Sequence, residues 1–341
     1  MKAAVLVRKG PAEKAIEIRE VEKPIAQKGE VLIKVECFGL NYADVMARLG
    51  LYEAAPKKPC VVGYEVVGTI EEVGEGGDTS LIGTRVVAFT RFGGYAQYAV
   101  TKADAFAEIG EMNAGEAAAI AVQYATAYYM ACDAIHLHQG DRVMIHAGAG
   151  GVGTALIQLC KLQGCEIFSN AGSDEKLAYM KSQGADHVMN YRKVDYSAEI
   201  PKLLGSQKLD ATFNPIAGST FKKDMKLLGA GGKLMLFGGS ERSSKFGFLS
   251  SLNFVRKMGL MIPISLVMQS KSVIGVNMLN IGDHKPRVLK RCMTEVIKLV
   301  KEGKLKPHVG AEFSYQDIAK AHSLLESRKS IGKIVVYWGD K

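Results

Sequence analysis

The stretch Asp141–Gly164, DRVMIHAGAGGVGTALIQLCKLQG, decides the fold of this chain. Its apolar run Val143–Ile145 is typical of a strand that is buried on both faces. A GxGxxG pattern follows at positions 148–153, and the apolar residues after it recur at helical spacing until Gly164, which predicts the helix end. The stretch therefore predicts a strand, a glycine turn and a helix in series.

A glycine turn in this context is suited to the pyrophosphate of a dinucleotide. Without Cβ atoms the main chain allows a phosphate to approach, and the first N–H groups of the helix point at it with the positive end of the helix dipole. We expect Gly150, Gly151 and Val152 to bind the pyrophosphate. The alternative is a tight glycine turn in an unrelated α/β protein, because the motif alone is weak evidence.

The tip of the second strand indicates which nicotinamide cofactor fits. Folds that bind a ribose 2′-hydroxyl carry Asp or Glu there, but this tip has no carboxylate before Asp174. Ser173, Lys176 and Tyr191, with the arginine after it, offer hydroxyl and cationic partners to a 2′-phosphate. The sequence therefore predicts NADPH. The alternative is that Lys176 is a solvated helix residue and Ser173 only an N-cap.

Strands and helices alternate from about residue 123 to 285, which predicts a doubly wound parallel sheet. Ligands of such sheets bind at the carboxyl ends of the strands, so we expect Phe237, Gly238, Val276 and Met278 to face the nicotinamide. Residues 1–122 are β-rich, and an alanine-rich helix is predicted over 115–134, where the two domains join. The final strand, within 332–337, has no sheet nearby in sequence, and we predict that it returns to the N-terminal domain.

Composition excludes several classes of protein. The formal charge is +9 and the pI about 9.1, but the basic residues form no stripe interleaved with aromatics, so we expect no nucleic-acid binding. Six cysteines without a CxxC pair indicate buried thiols in a reducing compartment, and we expect a cytoplasmic protein. The longest apolar run, Met258–Met268, is interrupted by Pro263 and is too short for a membrane span. It is open to three interpretations: a wall over a planar substrate, a dimer surface, or an interfacial membrane contact.

Four motifs in series resemble those of the medium-chain dehydrogenase/reductase superfamily. They are GLNYAD at 39–44, GYEVVG at 63–68, GTRV at 83–86 and the AGAGGVG run. The resemblance implies an α/β protein with three segments: a β-rich domain related to the chaperonin-10 (GroES-like) fold over 1–122, a Rossmann domain with a doubly wound parallel sheet over 123–285, and a C-terminal return over 286–341.

Departures from the zinc-dependent branch of that superfamily indicate a site without metal. The resemblance places the three catalytic zinc ligands near Asn41, at Tyr64 and near Gln123, and none of these side chains is a thiolate or an imidazole. The four-cysteine cluster of the structural zinc is also missing, because no cysteine lies between Cys60 and Cys132. The chain instead resembles the zinc-free quinone oxidoreductases, or zeta-crystallin-like branch, and within it the vesicle amine transport protein 1 homologs.

The resemblance implies that Asn41, Tyr52 and Thr126 lie near the nicotinamide. Tyr52 would donate a hydrogen bond to a substrate carbonyl, or would only anchor a mobile loop. Gln123 would point to the place of the missing metal ligand, or would cap neighbouring backbone. We expect His146 to pack behind its strand and to take no part in catalysis.

Chemistry without a metal favours an electron-poor acceptor. Nothing would polarise an alcohol as a Lewis acid, whereas a quinone delocalises the charge of an added hydride and takes protons from water. The sequence therefore predicts NADPH-dependent hydride transfer to quinones or related conjugated carbonyls. The alternatives are a 2-alkenal or enoyl reductase and a low-turnover nucleotide-binding protein at a membrane surface. We expect a small-molecule substrate, a homodimer and at most weak peripheral membrane contact.

Overall fold

The computed structural model describes residues 1–241 and 247–339, without the side chains of 247–251. Its strands are β1 (Lys2–Leu6), β2 (Ile16–Glu20), β3 (Glu30–Leu40), β4 (Cys60–Val61), β5 (Glu65–Val73), β6 (Arg85–Phe89), β7 (Tyr98–Lys102), β8 (Phe106–Glu108), β9 (Arg142–Ile145), β10 (Glu166–Ala171), β11 (His187–Asn190), β12 (Leu209–Asn214), β13 (Leu228–Leu236), β14 (Ser272–Gly275), β15 (Val309–Ser314) and β16 (Lys333–Tyr337).

Its α-helices are α1 (Ala12–Ala15), α2 (Tyr42–Leu49), α3 (Ala114–Ala117), α4 (Ala125–Tyr128), α5 (Gly151–Leu162), α6 (Asp174–Ser182), α7 (Tyr196–Leu204), α8 (Phe221–Leu227), α9 (Gly247–Met258), α10 (Pro263–Gln269), α11 (Met278–His284), α12 (Pro286–Lys301) and α13 (Ile318–Glu326). Short 3₁₀ turns lie at Thr79–Leu81, Gly218–Thr220 and Tyr315–Asp317. Two π-helical turns, Ile120–Tyr124 and Tyr129–Asp133, interrupt the helix predicted over 115–134.

The chain divides into two compact units. The first unit consists of Met1–Thr126 together with Met278–Lys341, and the second is Ala127–Asn277. The boundaries therefore fall after Thr126 and Asn277, a few residues from the predicted positions 122 and 285. Both ends of the chain contribute to the first unit.

The second unit is built on a six-stranded sheet with the order β11-β10-β9-β12-β13-β14. All of its pairs are parallel. Apolar strand residues such as Met144, Phe168 and Leu234 are fully buried in its core. The strand order reverses at β9, so the crevice between the carboxyl ends of β9 and β12 is the place where such sheets bind ligands. The predicted doubly wound sheet is confirmed.

The first unit is built around the long strand β3, which pairs antiparallel with β5, β7 and β16. These strands belong to a sheet with the order β15-β16-β3-β5-β6-β8, and β2, β1 and β4 form a smaller sheet. Strand β16 lies beside β3, with Val336 opposite Phe38. The last strand therefore pairs with a strand of the N-terminal part of the chain.

Helices α9 and α10 and the segment between them expose many apolar side chains. Leu260 is 92% exposed and Met268 is 82% exposed, while Ile262, Ile264 and Val267 are also exposed. All six cysteines are free thiols. In the ranges 1–241 and 247–339, no helix has the length and apolar character needed to cross a membrane.

Candidate active site

The glycine turn after β9 has the conformation that the motif predicts. Helix α5 begins at Gly151 with Gly150 as its N-cap, and Gly164 ends the helical segment at φ +76°. A Cβ atom at Gly148 would lie 2.0 Å from Ser169 Oγ, and one at Gly153 would lie 2.4 Å from the carbonyl oxygen of Ala147. At Gly153 only glycine fits, because the neighbouring atoms are the backbone of the turn itself. At Gly148 the buried side chains of Ser169 and Met180 would have to move.

A buried hydrogen-bond network lies beneath this turn. The Nε2 atom of His146 is 3.0 Å from both carboxylate oxygens of Asp224. Asp224 also accepts from Tyr196 Oη at 2.8 Å and from Asn214 Nδ2 at 2.5 Å. His146 and Asp224 are at most 1% exposed. His146 therefore packs behind its strand, as predicted, and is fully engaged with other side chains.

The loop after β10 and the segment after β11 form a cationic corner, which we define as Gly172, Ser173, Lys176, Tyr191 and Arg192. A Cβ atom at Gly172 would lie 2.5 Å from Tyr191 Oη and 3.3 Å from Arg192 Nε. Burial lowers the pKa of Lys176, and the charge of Arg192 acts in the same direction, so the two cations are close. Ser173 is the N-cap of α6, but its side chain makes no capping hydrogen bond. The corner thus gathers two cations and two hydroxyls around one loop.

The first carboxylate after β10 already has cationic and amide partners. Asp174 accepts from Lys193 Nζ at 2.6 Å and from Asn190 Nδ2 at 3.0 Å. The hydrogen bond from Lys193 is the main reason that the pKa of Asp174 lies below its usual range. Asp174 is therefore part of a side-chain cluster at the start of α6, separate from the tip of β10.

The predicted nicotinamide-facing residues follow the next strands of the same sheet. Phe237 and Gly238 come directly after β13, and Val276 comes directly after β14. The amide of Phe237 donates to the carbonyl of Asn214, and the amide of Val276 donates to the carbonyl of Leu236. The carboxyl edge of the sheet therefore brings together nine of the ten predicted cofactor residues. The tenth, Met278, is buried at the start of α11 in the first unit.

The first unit contains a buried polar cluster that we call the Glu65 cluster. Glu65 Oε1 accepts from Asn41 Nδ2 at 2.7 Å and from Lys333 Nζ, while Glu65 Oε2 accepts from the amide of Val122 at 2.9 Å. Lys333 Nζ also donates to Asn41 Oδ1 at 3.2 Å. Both ends of the Asn41 amide are therefore engaged in the cluster, and Glu65 binds a free N–H of the π-helical turn.

A second group of buried titratable residues lies in the same unit. Asp44 Oδ2 accepts from the amide of Asn41 at 2.8 Å, and burial raises the pKa of Asp44 to about 7. His322 is fully buried, and burial lowers its pKa to about 3 with a contribution from Arg48. The rings of His322 and Tyr95 are in edge contact, with centroids 5.7 Å apart. The fold therefore favours a protonated Asp44 and a neutral His322.

The remaining predicted catalytic residues are Tyr52 and Thr126. Tyr52 is half-buried, and its ring meets the ring of Tyr64 edge to face with centroids 6.1 Å apart. Burial is the main cause that raises the pKa of Tyr52, so its hydroxyl keeps its proton at neutral pH. Thr126 lies in α4 and is 7% exposed. Gln123 is buried, and its Oε1 has no hydrogen-bond partner within the described part of the chain.

The side chains at the three zinc-ligand positions do not suit zinc. Asn41 is held by Glu65 and Lys333, Tyr64 offers a phenol whose pKa burial raises strongly, and Gln123 offers an amide. The nearby ammonium of Lys333 would also repel a divalent cation. Across 1–241 and 247–339, no group of three His, Cys, Asp or Glu side chains is arranged to hold a metal ion.

Two family profiles match the chain in the order of its parts. The profile of the alcohol dehydrogenase GroES-like domain matches residues 27–111, and that of the zinc-binding dehydrogenases matches residues 151–299. The synaptic vesicle membrane protein VAT-1 homolog of Rattus norvegicus is 30% identical over 328 residues, which cover 95% of this chain and 80% of the relative. The chain belongs to the VAT-1 homologs of the medium-chain dehydrogenase/reductase superfamily. This medium-chain dehydrogenase/reductase protein has the predicted GroES-like domain and Rossmann sheet.

Two further comparisons give the extent of the match. The VAT-1 homolog of Danio rerio is 33% identical over 318 residues, and the chain spans 65% of that relative's length. The structure of mycobacterial Rv1454c complexed with NADPH superposes with a TM-score of 0.86 at 25% identity, covering 99% of this chain and 100% of that one. The likeness therefore includes a protein with the same fold that binds NADPH.

Two residues that organise these sites have no local signal in the sequence. Lys333 is 268 positions from Glu65, and Asp224 is 78 positions from His146. Asp224 lies among the lysines of α8, which is typical of an exposed segment, and Lys333 is the one charged residue of β16. The one available hint is that Lys333 begins an otherwise apolar strand, where a charged residue needs a buried partner.

Proposed function

We propose that this protein is an NADPH-dependent oxidoreductase that transfers hydride to quinones or related conjugated carbonyls without a metal ion. The observation that carries the proposal is the cationic corner beside the glycine turn. A 2′-phosphate would meet Lys176 and Arg192 together with the hydroxyls of Ser173 and Tyr191, while the pyrophosphate would meet the first amides of α5. The NADPH complex of the mycobacterial neighbour supports the same choice of cofactor.

The side chains present fit the cofactor, and bound NADPH would supply hydride from its nicotinamide C4. Gly150, Gly151 and Val152 would bind the pyrophosphate through backbone N–H groups at the start of α5. Phe237, Gly238 and Val276 would position the nicotinamide end of the cofactor from the carboxyl ends of β13 and β14. These residues bind and orient, which brings the reacting atoms together and excludes water.

The proposal of a quinone acceptor follows from the donor chemistry of the first unit. Asn41, Tyr64 and Gln123 cannot form a Lewis-acid site, so an acceptor that delocalises added charge by itself is favoured over an alcohol or aldehyde. Tyr52 would donate its proton in a hydrogen bond to a carbonyl oxygen, because its raised pKa keeps the hydroxyl protonated. Asn41 and Thr126 are proposed to line the same site.

Steady-state assays of the purified protein test the function. We expect NADPH oxidation with substituted benzoquinones and naphthoquinones, slower oxidation with NADH, and no dependence on added zinc. Elemental analysis of the same preparation should show less than stoichiometric zinc. If a broad quinone panel gives no turnover, or if chelation of stoichiometric zinc abolishes activity, the proposal is wrong.

An enoyl or 2-alkenal reductase is the second candidate, and the protonated hydroxyl of Tyr52 favours it. Such a reaction delivers a proton to carbon, so it depends on a donor more strongly than quinone reduction does. Tyr52→Phe should then abolish alkenal turnover and retain quinone turnover. Equal loss of both activities would assign Tyr52 to substrate positioning, and Tyr98→Phe, which changes a tyrosine of β7, serves as the control.

For the apolar surface of α9 and α10 we propose a second copy of the chain as the partner. These helices precede the edge strand β14, whose outer side pairs with no strand among the described residues. A homodimer would cover both the aliphatic side chains and this edge. Light scattering should give a dimer that Leu260→Asp dissociates. A monomer that floats with anionic vesicles would instead support the low-turnover membrane-surface protein.

A further inference from the structure

The side chain of His146 is also connected to the glycine turn, through the side chain of Asn170. Asn170 Nδ2 lies 3.2 Å from His146 Nδ1, and Asn170 Oδ1 accepts from the amide of Ala147 at 3.2 Å. Because an amide nitrogen only donates, His146 Nδ1 must accept. Nε2 then carries the proton and donates to Asp224. The hydrogen bonds therefore run in one direction from Ala147 through Asn170 and His146 to Asp224.

Ala147 is the residue on which the shape of the glycine turn depends. Its φ is +53°, a left-handed conformation that is costly for a residue with a Cβ atom. Its carbonyl accepts from the amide of Gly150 at 2.9 Å. The same carbonyl oxygen would lie 2.4 Å from a Cβ atom at Gly153. Its amide is held by Asn170. The amide and the carbonyl of Ala147 are therefore both held by hydrogen bonds in the turn that would bind the pyrophosphate.

We propose that His146 is a positioning residue for cofactor binding, which holds the glycine turn in its phosphate-binding conformation through Asn170. This inference rests on the proposed function, because it assigns a role in binding the nicotinamide cofactor. The side-chain hydrogen bonds of His146 go to Asp224 and Asn170, so its ring reaches the glycine turn through the Asn170 side chain. The groups that face its ring are Asp224 from α8 and Tyr196 from α7, whose ring centroid is 4.9 Å away.

The route through Asn170 makes a pair of substitutions informative. Asn170→Leu keeps the size of the side chain but removes both the acceptor for the Ala147 amide and the donor to His146 Nδ1. In that variant the route from His146 to the turn is already broken. Loss of His146 should therefore add little to the loss of Asn170, so the two effects on cofactor binding should not be additive.

Calorimetry of NADP⁺ binding tests this prediction. We expect Asn170→Leu and His146→Phe, which keeps a ring and removes both nitrogens, each to bind about 10-fold more weakly than the wild type. The double variant should bind within about 3-fold of Asn170→Leu. Thr212→Val is the control, because this buried hydroxyl on β12 has no hydrogen-bond partner among the described residues and its loss should leave the Kd unchanged.

Three results would overturn the inference, and they differ from failure of the proposed function. They are additive losses of affinity in the double variant, an equal shift in Thr212→Val, and unchanged binding by His146→Phe. If His146→Phe does not fold, His146→Leu replaces it in the same comparison. Wild-type protein that binds no NADP⁺ would reject the proposed function together with this inference.

Discussion

Two polar regions of the molecule are built differently. One is the carboxyl edge of the sheet in the second unit, which we call the cofactor edge, and the other is the Glu65 cluster of the first unit. The cofactor edge takes its groups from loops that directly follow successive strands of one sheet. The Glu65 cluster joins β5, the start of α2, a π-helical turn and β16, and its members Asn41 and Lys333 are 292 residues apart. Loops at a sheet edge can change without loss of the fold, whereas a buried ion pair that joins distant segments is part of the fold. Damage to the first region should therefore lower binding, and damage to the second should lower stability.

Lys333→Met is expected to have the largest effect. It leaves the Glu65 carboxylate buried without its cation, which should lower the free energy of unfolding by about 3–5 kcal/mol. The measurement is urea denaturation followed by circular dichroism. The double variant Glu65→Gln/Lys333→Met should recover much of the loss. A single variant as stable as the wild type would show that the pair is not structural.

Gly153→Ala should weaken NADP⁺ binding by about 100-fold and lower the free energy of unfolding by about 1–3 kcal/mol. The added Cβ would lie 2.4 Å from the Ala147 carbonyl, so the turn must shift from its binding conformation. Gly275→Ala in β14 is the matched control, because a Cβ there meets no atom of the described residues within 4 Å. Calorimetry with NADP⁺ checks both variants. Unchanged affinity in Gly153→Ala would contradict the assignment of this turn to the pyrophosphate.

Lys176→Ala should weaken NADP⁺ binding by about 10-fold and leave NAD⁺ binding unchanged, because it removes one charge-assisted contact to the 2′-phosphate. Arg192→Ala should act in the same way. The measurement is the ratio of the two dissociation constants in each variant. Lys181→Ala, which changes an exposed cation at the other end of α6, controls for net charge. An equal loss of affinity for both nucleotides would mean that the cationic corner does not bind the 2′-phosphate.

The smallest expected effects are changes of stability with pH that depend on Asp44 and His322 of the first unit. The raised pKa of Asp44 contributes stability below about pH 4 that is lost as the pH rises to about 7. The lowered pKa of His322 contributes stability above about pH 6.5 that is lost as the pH falls toward 3. The two contributions oppose each other, so the wild type should show a weak dependence between pH 4 and 7.

Single variants should separate these opposing contributions. In Asp44→Asn the loss of stability on acidification from pH 7 to 4 should become steeper by about 1 kcal/mol, because His322 then acts alone. In His322→Phe the stability should instead rise on acidification. Urea midpoints measured across this range test both signs. Parallel curves for the wild type and both variants would show that these groups do not govern the pH dependence.

Much of the second unit follows from local patterns. The apolar run before the glycines, the glycines themselves and the stripe after them place β9, the turn and α5, and the absence of Asp or Glu at the tip of β10 indicates the cofactor. The π-helical turns, one in each unit, could not be predicted, because the alanine-rich segment that contains them favours an ordinary helix. The partner of His146 could not be predicted either, since nothing near Asp224 marks it.

The sequence by itself determined that the second unit contains a doubly wound parallel sheet, where its glycine turn lies, and that the zinc-ligand positions carry neither thiolate nor imidazole. These depend on residue types at short spacing, where backbone geometry limits what can form. Only the tertiary structure decided that Lys333 meets Glu65 and that His146 connects Asp224 to Asn170. Such contacts join segments that are distant in sequence, and they form because a buried charge or polar group must find a partner wherever the folded chain brings one within reach.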